Sequence, residues 1–393
     1  MAKFDPQLES LVREMNVGTA GAPHGAKQSD PLMLSSTGPG AFEGLDEVLR
    51  YAVERGASDI LMTDGSGVTL RLQGGLVTAA EPVLKDETIR SLVAPLLTDG
   101  YRKELENNLT VDFGFVRRGI GRFRANLHFQ RGTLGVALRV LPQEVPTVES
   151  LGLPTALSAL ADRKKGLILV TGSSGSGKTT TLAALIGLIN QRHAHHIVTL
   201  EDPIEYRHLN QKSIIEQIEI GRDAKTFASA LRSILRQSPD VILVGEMRDS
   251  ETMAAAITAA ETGHLVLATL HTNDAIRAIG RVVDGFPSDQ QNQIRQQLSL
   301  GLVAVVAQQL IPSADGKRRH LAVEVLMGNN AVSNLIRRGE DHMLRSQLSL
   351  GRAEGMVMME ESLAQLVKQK LISADVAAAH CLRPDELRRY LHS

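Results

Sequence analysis

Four short runs in the middle of the chain are apolar at nearly every position: GLILVTG (166–172), HIVTLED (196–202), VILVGE (241–246) and HLVLATLHT (264–272). A strand with no polar face has no water to face, so these runs predict a parallel sheet covered by helices on both sides. Earlier in the chain the pattern differs. RFRANLHFQR (122–131) alternates strictly, with Phe123, Ala125, Leu127 and Phe129 on one face and Arg122, Arg124, Asn126, His128 and Gln130 on the other. VTLRLQ (68–73), TVDFGFV (110–116) and LGVALRVLP (134–142) alternate in the same way, and FEGLDEVLRYAVERG (42–56) has the period of a helix that stops at Gly56. After residue 330 only helical patterns remain, in NAVSNLIRRGE, MEESLAQLVKQKL and PDELRRYL. Before residue 42, Phe4, Leu8, Leu11, Val12 and Met15 sit at helical spacing, followed by a Gly-, Ser- and Pro-rich linker. The expected organisation is an α/β protein: a flexible extension (1–41), an α+β domain (42–145), a parallel-sheet domain (146–330) and a helical C-terminal region (331–393).

Composition narrows the partners. The 393 residues are 43% hydrophobic, enough for a sizeable core, and the formal net charge is -1. With 3% aromatic residues and no Trp, the chain is poorly supplied for binding nucleic acid through charge or base stacking, and no nucleic-acid partner is expected. One cysteine, Cys381, permits no internal disulfide framework. The charged start has no signal-peptide core and no apolar run reaches about 18 residues, so a cytoplasmic, non-spanning protein is expected.

GSSGSGKT (172–179) matches the phosphate-binding loop pattern, with a strand before it and a helix after it. Glycines let the backbone of Ser173, Ser174, Gly175, Ser176 and Gly177 curl around phosphate oxygens. Lys178 brings a full charge to the outer phosphates, Thr179 a hydroxyl for Mg²⁺, and Thr180 continues into the helix. A nucleotide triphosphate with Mg²⁺ is therefore the expected ligand, which the resemblance given below implies to be ATP.

The other apolar runs end in charge. Glu201, Asp202 and Glu205 follow the second, Glu246 ends the third, and His271 ends the fourth, which His264 begins. Ligands of parallel sheets sit at the carboxyl ends of strands, so the carboxylates and His271 are expected to share one crevice with the triphosphate and its metal. Glu246 is placed to polarise the attacking water. Glu205 is a candidate for sharing that task, and Glu201 and Asp202 are candidates for holding the metal with Thr179, partly through water. Asp240 is expected to cap structure. HAHH (193–196) has the look of a metal tract, but histidines also suit a helix end, which is the preferred reading.

From Phe42 onward the chain resembles the type IV pilus retraction ATPases, the PilT/PilU family of hexameric secretion ATPases. The resemblance rests on GASD (56–59), GRFRANLHFQRG (121–132), the phosphate loop, EDPIEY (201–206), LRQSPDVILVGEMRD (235–249) and TAAETGHLVLATLHTNDA (258–275). LRQSPD, QQLIPSADGKRR and PDELRRYL look closer to the PilU branch. The resemblance implies a PAS-like N-terminal domain, a RecA-like ATPase domain with a helical tail, and six chains in a ring with ATP between the two domains. It implies roles for Glu205, Glu246, His264 and His271, and makes Arg124, Arg131 and Arg139 the N-terminal arginines that reach phosphates. Its implied partners are an inner-membrane platform protein of the PilC kind and a second retraction ATPase, with the ring at the membrane base of the pilus. A secretion or conjugation ATPase, an accessory ATP-binding subunit and a RecA-like DNA translocase are the alternative readings.

Overall fold

A computed structural model describes residues 42–72, 74–79, 82–315 and 318–392. The expected extension and its amphipathic start therefore lie outside the described residues. Two sheets organise the rest. The first is a six-stranded antiparallel sheet of β1 (Asp59–Met62), β2 (Thr69–Leu72), β3 (Gly75–Thr78), β4 (Thr110–Arg117), β5 (Gly121–Gln130) and β6 (Thr133–Leu141), in the order β3-β2-β1-β6-β5-β4. Helices α1 (Leu45–Glu54), α2 (Asp86–Val93) and α3 (Asp99–Asn108) accompany it. The alternation in β5 sends Phe123, Ala125 and Leu127 into a core with Val48, Leu49, Ile60, Ile89 and Leu138, all fully buried. The opposite face keeps its arginines, and Arg124 pairs in register with Arg139.

The second sheet contains β7 (Gly166–Thr171), β8 (His196–Glu201), β9 (Ile214–Glu219), β10 (Val241–Val244), β11 (Leu265–Leu270), β12 (Leu302–Pro312) and β13 (Arg319–Met327). Its order is β13-β12-β7-β11-β10-β8-β9, parallel throughout except for β13, which pairs antiparallel with β12 at one edge. After a short helix α4 (Thr155–Ser158), the phosphate-loop helix α5 (Lys178–Arg192) packs on one face through Leu182, Leu185, Ile186 and Ile189. The other face is covered by α6 (Phe227–Ile234), α7 (Ser250–Glu261), α8 (Ala275–Asp284) and α9 (Gln291–Gly301). Every position of β7, β10 and β11 is buried, the physical counterpart of their unbroken apolar runs. Side chains at Thr226, Asp249 and Asp274 cap α6, α7 and α8 by accepting from the N–H three residues on.

The last stretch is helical: α10 (Asn330–Arg338), α11 (Leu344–Leu350), α12 (Met359–Lys368), α13 (Ala374–His380) and α14 (Pro384–His392). Met356, Met358 and Met359 of the MVMM run are buried in core clusters. Arg345 of α11 fastens this region to the sheet. It lies 3.9 Å from Glu324 of β13 and 3.1 Å from Glu360 of α12, and it also pairs with Glu386 of α14. Burial pushes the Glu324 carboxyl up, opposed by the Ala275 N–H that donates to it.

Candidate functional site

The phosphate loop leaves β7 through Gly172, whose φ of 152° belongs to glycine territory. A Cβ there would sit 2.5 Å from both the Gln308 carbonyl oxygen and Ser176 Oγ, so β12 closes the loop from beneath. Gln308, itself buried, donates from Nε2 to the Ser176 carbonyl at 2.7 Å. Helix α5 begins at Gly177 (φ 88°) with no side-chain cap, leaving its first N–H groups pointed at the loop. Lys178 Nζ donates to the carbonyls of Gly172 and Ser173 at 2.8 and 2.9 Å. Burial pushes this ammonium below its ordinary range, and the Glu246 carboxylate acts in the opposite direction. A cation held near a carboxylate on weak carbonyl acceptors is prepared to exchange them for phosphate oxygens.

Parallel pairing puts the strand ends side by side. β7 lies against β11, β11 against β10, and β10 against β8, so Thr171, Leu270, Val244 and Glu201 finish at one edge. A cavity of about 560 Å³ opens there. The loop residues Ser174, Gly175, Gly177, Lys178, Thr179 and Thr180 line it. So do Glu201, Asp202, Glu205, Glu246 and His271, and so does Arg139 of the N-terminal sheet. Glu246 has one oxygen 2.7 Å from Arg248 Nε and the other 3.6 Å from His271 Nε2. Glu201 is 8% exposed and accepts from Thr199 Oγ1 at 2.7 Å and Gln217 Nε2 at 3.0 Å. Burial raises its pKa, the two hydrogen bonds oppose the rise, and Glu205 adds to it. The knot of negative charge after β8 thus faces the ammonium and loop amides of the phosphate site.

The Type II/IV secretion system protein family matches residues 43–383. The type IV pilus ATPase PilU of Pseudomonas aeruginosa is 41% identical over 343 residues, covering 87% of this chain and 90% of the relative. The type IV pilus retraction ATPase PilT of the same organism is 40% identical over 341 residues, covering 87% of this chain and 99% of the relative. A crystal structure of the pilus retraction motor PilT with bound ADP superposes with a TM-score of 0.82 at 45% identity, over 88% of this chain and 99% of that one. The chain belongs to the Type II/IV secretion system protein family, with the PilT and PilU ATPases. In this family member, whose fold matches that PilT structure, the parallel sheet with the phosphate loop follows the antiparallel sheet in the chain.

Not every sequence-marked residue of this secretion-system protein reaches the cavity. His264 sits at the amino end of β11, the edge away from the phosphate loop, with Nδ1 3.0 Å from the Ala259 carbonyl. Arg131 lies in the β5–β6 turn at φ 50°, and Arg124 pairs with Asp112 at 3.6 Å; neither lines the cavity. Arg139 does line it, while its Nε lies 3.0 Å from Asp59. Ser173 contributes its carbonyl to Lys178, and Ser176 is buried beneath the loop. Asp240 accepts from the His196 N–H at 2.8 Å. The HAHH histidines face separate carboxylates: His193 with Asp162, His195 with Asp240, His196 with Glu216. Several lining residues were not singled out from the sequence. Arg248 stands two places after Glu246 in GEMRD, a signal that was available. Arg319 begins β13 and lines the cavity, although KRR (317–319) reads as a solvated turn. Gln217 and Gln308, which hold Glu201 and the loop from outside the cavity lining, carry no pattern that marks them.

Proposed function

We propose that this chain is an ATP-hydrolysing motor, that six copies form a ring, and that turnover drives retraction of type IV pili. The observation that carries the reading is the convergence of Lys178, Glu205, Glu246 and His271, from four separate strand ends, on one cavity. The phosphate loop and helix α5 hold the triphosphate by backbone N–H groups, and Lys178 carries charge to its outer phosphates. Glu246 accepts the proton of the attacking water, oriented by Arg248 and His271, with Glu205 beside it. Arg139 brings the N-terminal sheet to the nucleotide from the other side.

The residues present suit Mg²⁺ that arrives with the nucleotide. Among the described residues no group of three or more His, Cys, Asp or Glu is arranged to cage a metal. The oxygen donors lining the cavity, Thr179 at the start of α5 and Glu201 and Asp202 at the end of β8, match a hard cation that keeps waters and phosphate ligands. Such an ion supplies charge neutralisation on the β- and γ-phosphates.

In this reading residues 42–145, 146–330 and 331–393 are the moving domains and their tail, and the ring acts on an inner-membrane platform protein of the PilC kind. No helix among the described residues is long and apolar enough to cross a membrane, which suits a ring docked from the cytoplasm. Near-equal identity to PilU and PilT, 41% and 40%, admits a second reading, an accessory retraction motor beside a stronger one. The purified chain is expected to hydrolyse ATP only with Mg²⁺, and Glu246→Gln to slow turnover about 10²-fold while nucleotide still binds. Unchanged turnover in that variant removes Glu246 from its role. Deleting the gene and imaging labelled pili separates the principal motor, whose loss stops retraction, from the accessory one, whose loss weakens it.

A further inference from the structure

One side chain crosses from the N-terminal sheet to the acidic loop of the ATPase sheet. Arg122, on the polar face of β5, donates from Nη1 to the Glu205 carbonyl at 3.1 Å and from Nη2 to the Ile204 carbonyl at 3.0 Å. A rigid planar fork that holds two successive carbonyls fixes the peptide between them, and from that backbone Glu205 projects into the nucleotide cavity. The rest of the loop is tied to its own domain. The Ile204 N–H donates to Glu219 at 3.1 Å, Gln217 Nε2 donates to the Tyr206 carbonyl at 2.8 Å, and the Tyr206 hydroxyl meets Thr180 Oγ1 at 3.1 Å. Three anchors therefore belong to the ATPase domain, and the Arg122 fork belongs to the other sheet.

The fork stands at the edge of open space. A cavity of about 780 Å³ is lined by the β4–β5 turn, the linker Gln143–Glu149, helix α5 and Arg122, with Val145 of the linker close to Gly187 of α5 at one side. His208 lines both this cavity and the nucleotide cavity. The N-terminal sheet thus has room to shift against α5, and a shift changes what the fork holds.

We propose that Arg122 is a positioning residue that makes the placement of Glu205 depend on the placement of the N-terminal sheet. With the sheet seated as here, the fork sets the loop; with the sheet displaced, the carbonyls of Ile204 and Glu205 are released and Glu205 loses its fixed approach to the nucleotide. This inference rests on the reading of Glu205 given above.

The test uses the full chain and steady-state ATP turnover, with ADP affinity and thermal unfolding measured beside it. Arg122→Ala is expected to lower kcat about tenfold with KM and ADP affinity changed less than about threefold. Glu205→Gln is expected to lower kcat at least as much, and the double variant to be no slower than Glu205→Gln alone, because Arg122 acts through Glu205. Arg122→Lys should recover little, since an ammonium is not a two-pronged planar donor. If Arg122→Ala unfolds, Arg122→Lys carries the measurement, with the same split between kcat and KM. Turnover of Arg122→Ala within about twofold of the parent, or multiplied losses in the double variant, overturns the proposal. A parallel loss of ADP affinity also overturns it, because Arg122 would then touch nucleotide itself. Full turnover in Glu205→Gln removes the reading of Glu205 and the coupling with it; a slow Glu205→Gln beside an unaffected Arg122→Ala removes the coupling alone.

Discussion

The two sheets put their chemistry in different places. In the antiparallel N-terminal sheet one face is core and the other carries Arg122, Arg124 and Arg139, so functional groups stand on a surface. In the central strands β7, β8, β10 and β11 both faces are core, and the charged groups stand at or just beyond the strand ends, where Glu201, Glu246 and His271 gather with the phosphate loop. Alternation names a face without naming which of its residues reaches a ligand. Unbroken apolar runs leave so few polar positions that their ends name the site almost residue by residue.

The comparison can be broken most forcefully at Phe123, fully buried in the N-terminal core and stacked on Phe115 with ring centroids 5.3 Å apart. Phe123→Ala should cost about 3–5 kcal/mol, the scale for truncating a buried aromatic. Denaturant unfolding should show that loss in an N-terminal transition while ADP binding, followed by calorimetry, persists. Equal collapse of ADP binding would mean that the two sheets do not stand on separate cores.

A smaller effect is expected at the wall between the two cavities. Burial pushes the His208 imidazole down to about 4 from its ordinary 6.5. The unfolded chain takes up this proton near pH 6.5 and the folded chain only near 4, so the contribution is complete above 6.5 and is lost as pH falls through that window. The slope is at most about 1.4 kcal/mol per pH unit for one proton. His208→Gln should flatten the acid limb of melting temperature against pH between those values; an unchanged limb assigns the acid sensitivity to other groups. The smallest effect belongs to the helix layer. Arg232 and Glu251 pair across α6 and α7 with both side chains more than half exposed. Arg232→Ala should change stability by less than about 0.5 kcal/mol, read as the denaturant midpoint.

Much of this arrangement was legible beforehand because each visible element had a strong period or a motif with a mechanism. The phosphate loop, the four buried strands and the acids after them needed no tertiary information. The parts that escaped are short, at an edge, or defined by partners. β1 has four residues and reveals itself only by pairing with β2 and β6. β9 is a partly exposed edge strand, IIEQIE, whose single patterned signal is weak. β12 and β13 were not read as strands, and β13 reverses direction at the sheet's edge. His264 enters the expected site only through the family resemblance, and the six-residue strand β11 places it and His271 at opposite edges of the sheet. Arg122 was visible only as one of five polar side chains on a face; its two carbonyl partners lie 82 and 83 residues away.

The Arg345 cluster gives the tail a kind of lock. Glu324, Glu360 and Glu386 come from distant parts of the chain and would push one another apart in a medium of low polarity. The Arg345 guanidinium, joined at Glu360 by Arg383 at 3.9 Å, turns that mutual aversion into adhesion. Shortening the chain by its final helix would therefore remove more than a helix: it would leave a positive centre with one fewer counter-ion and loosen the grip on the edge strand that borders the nucleotide site.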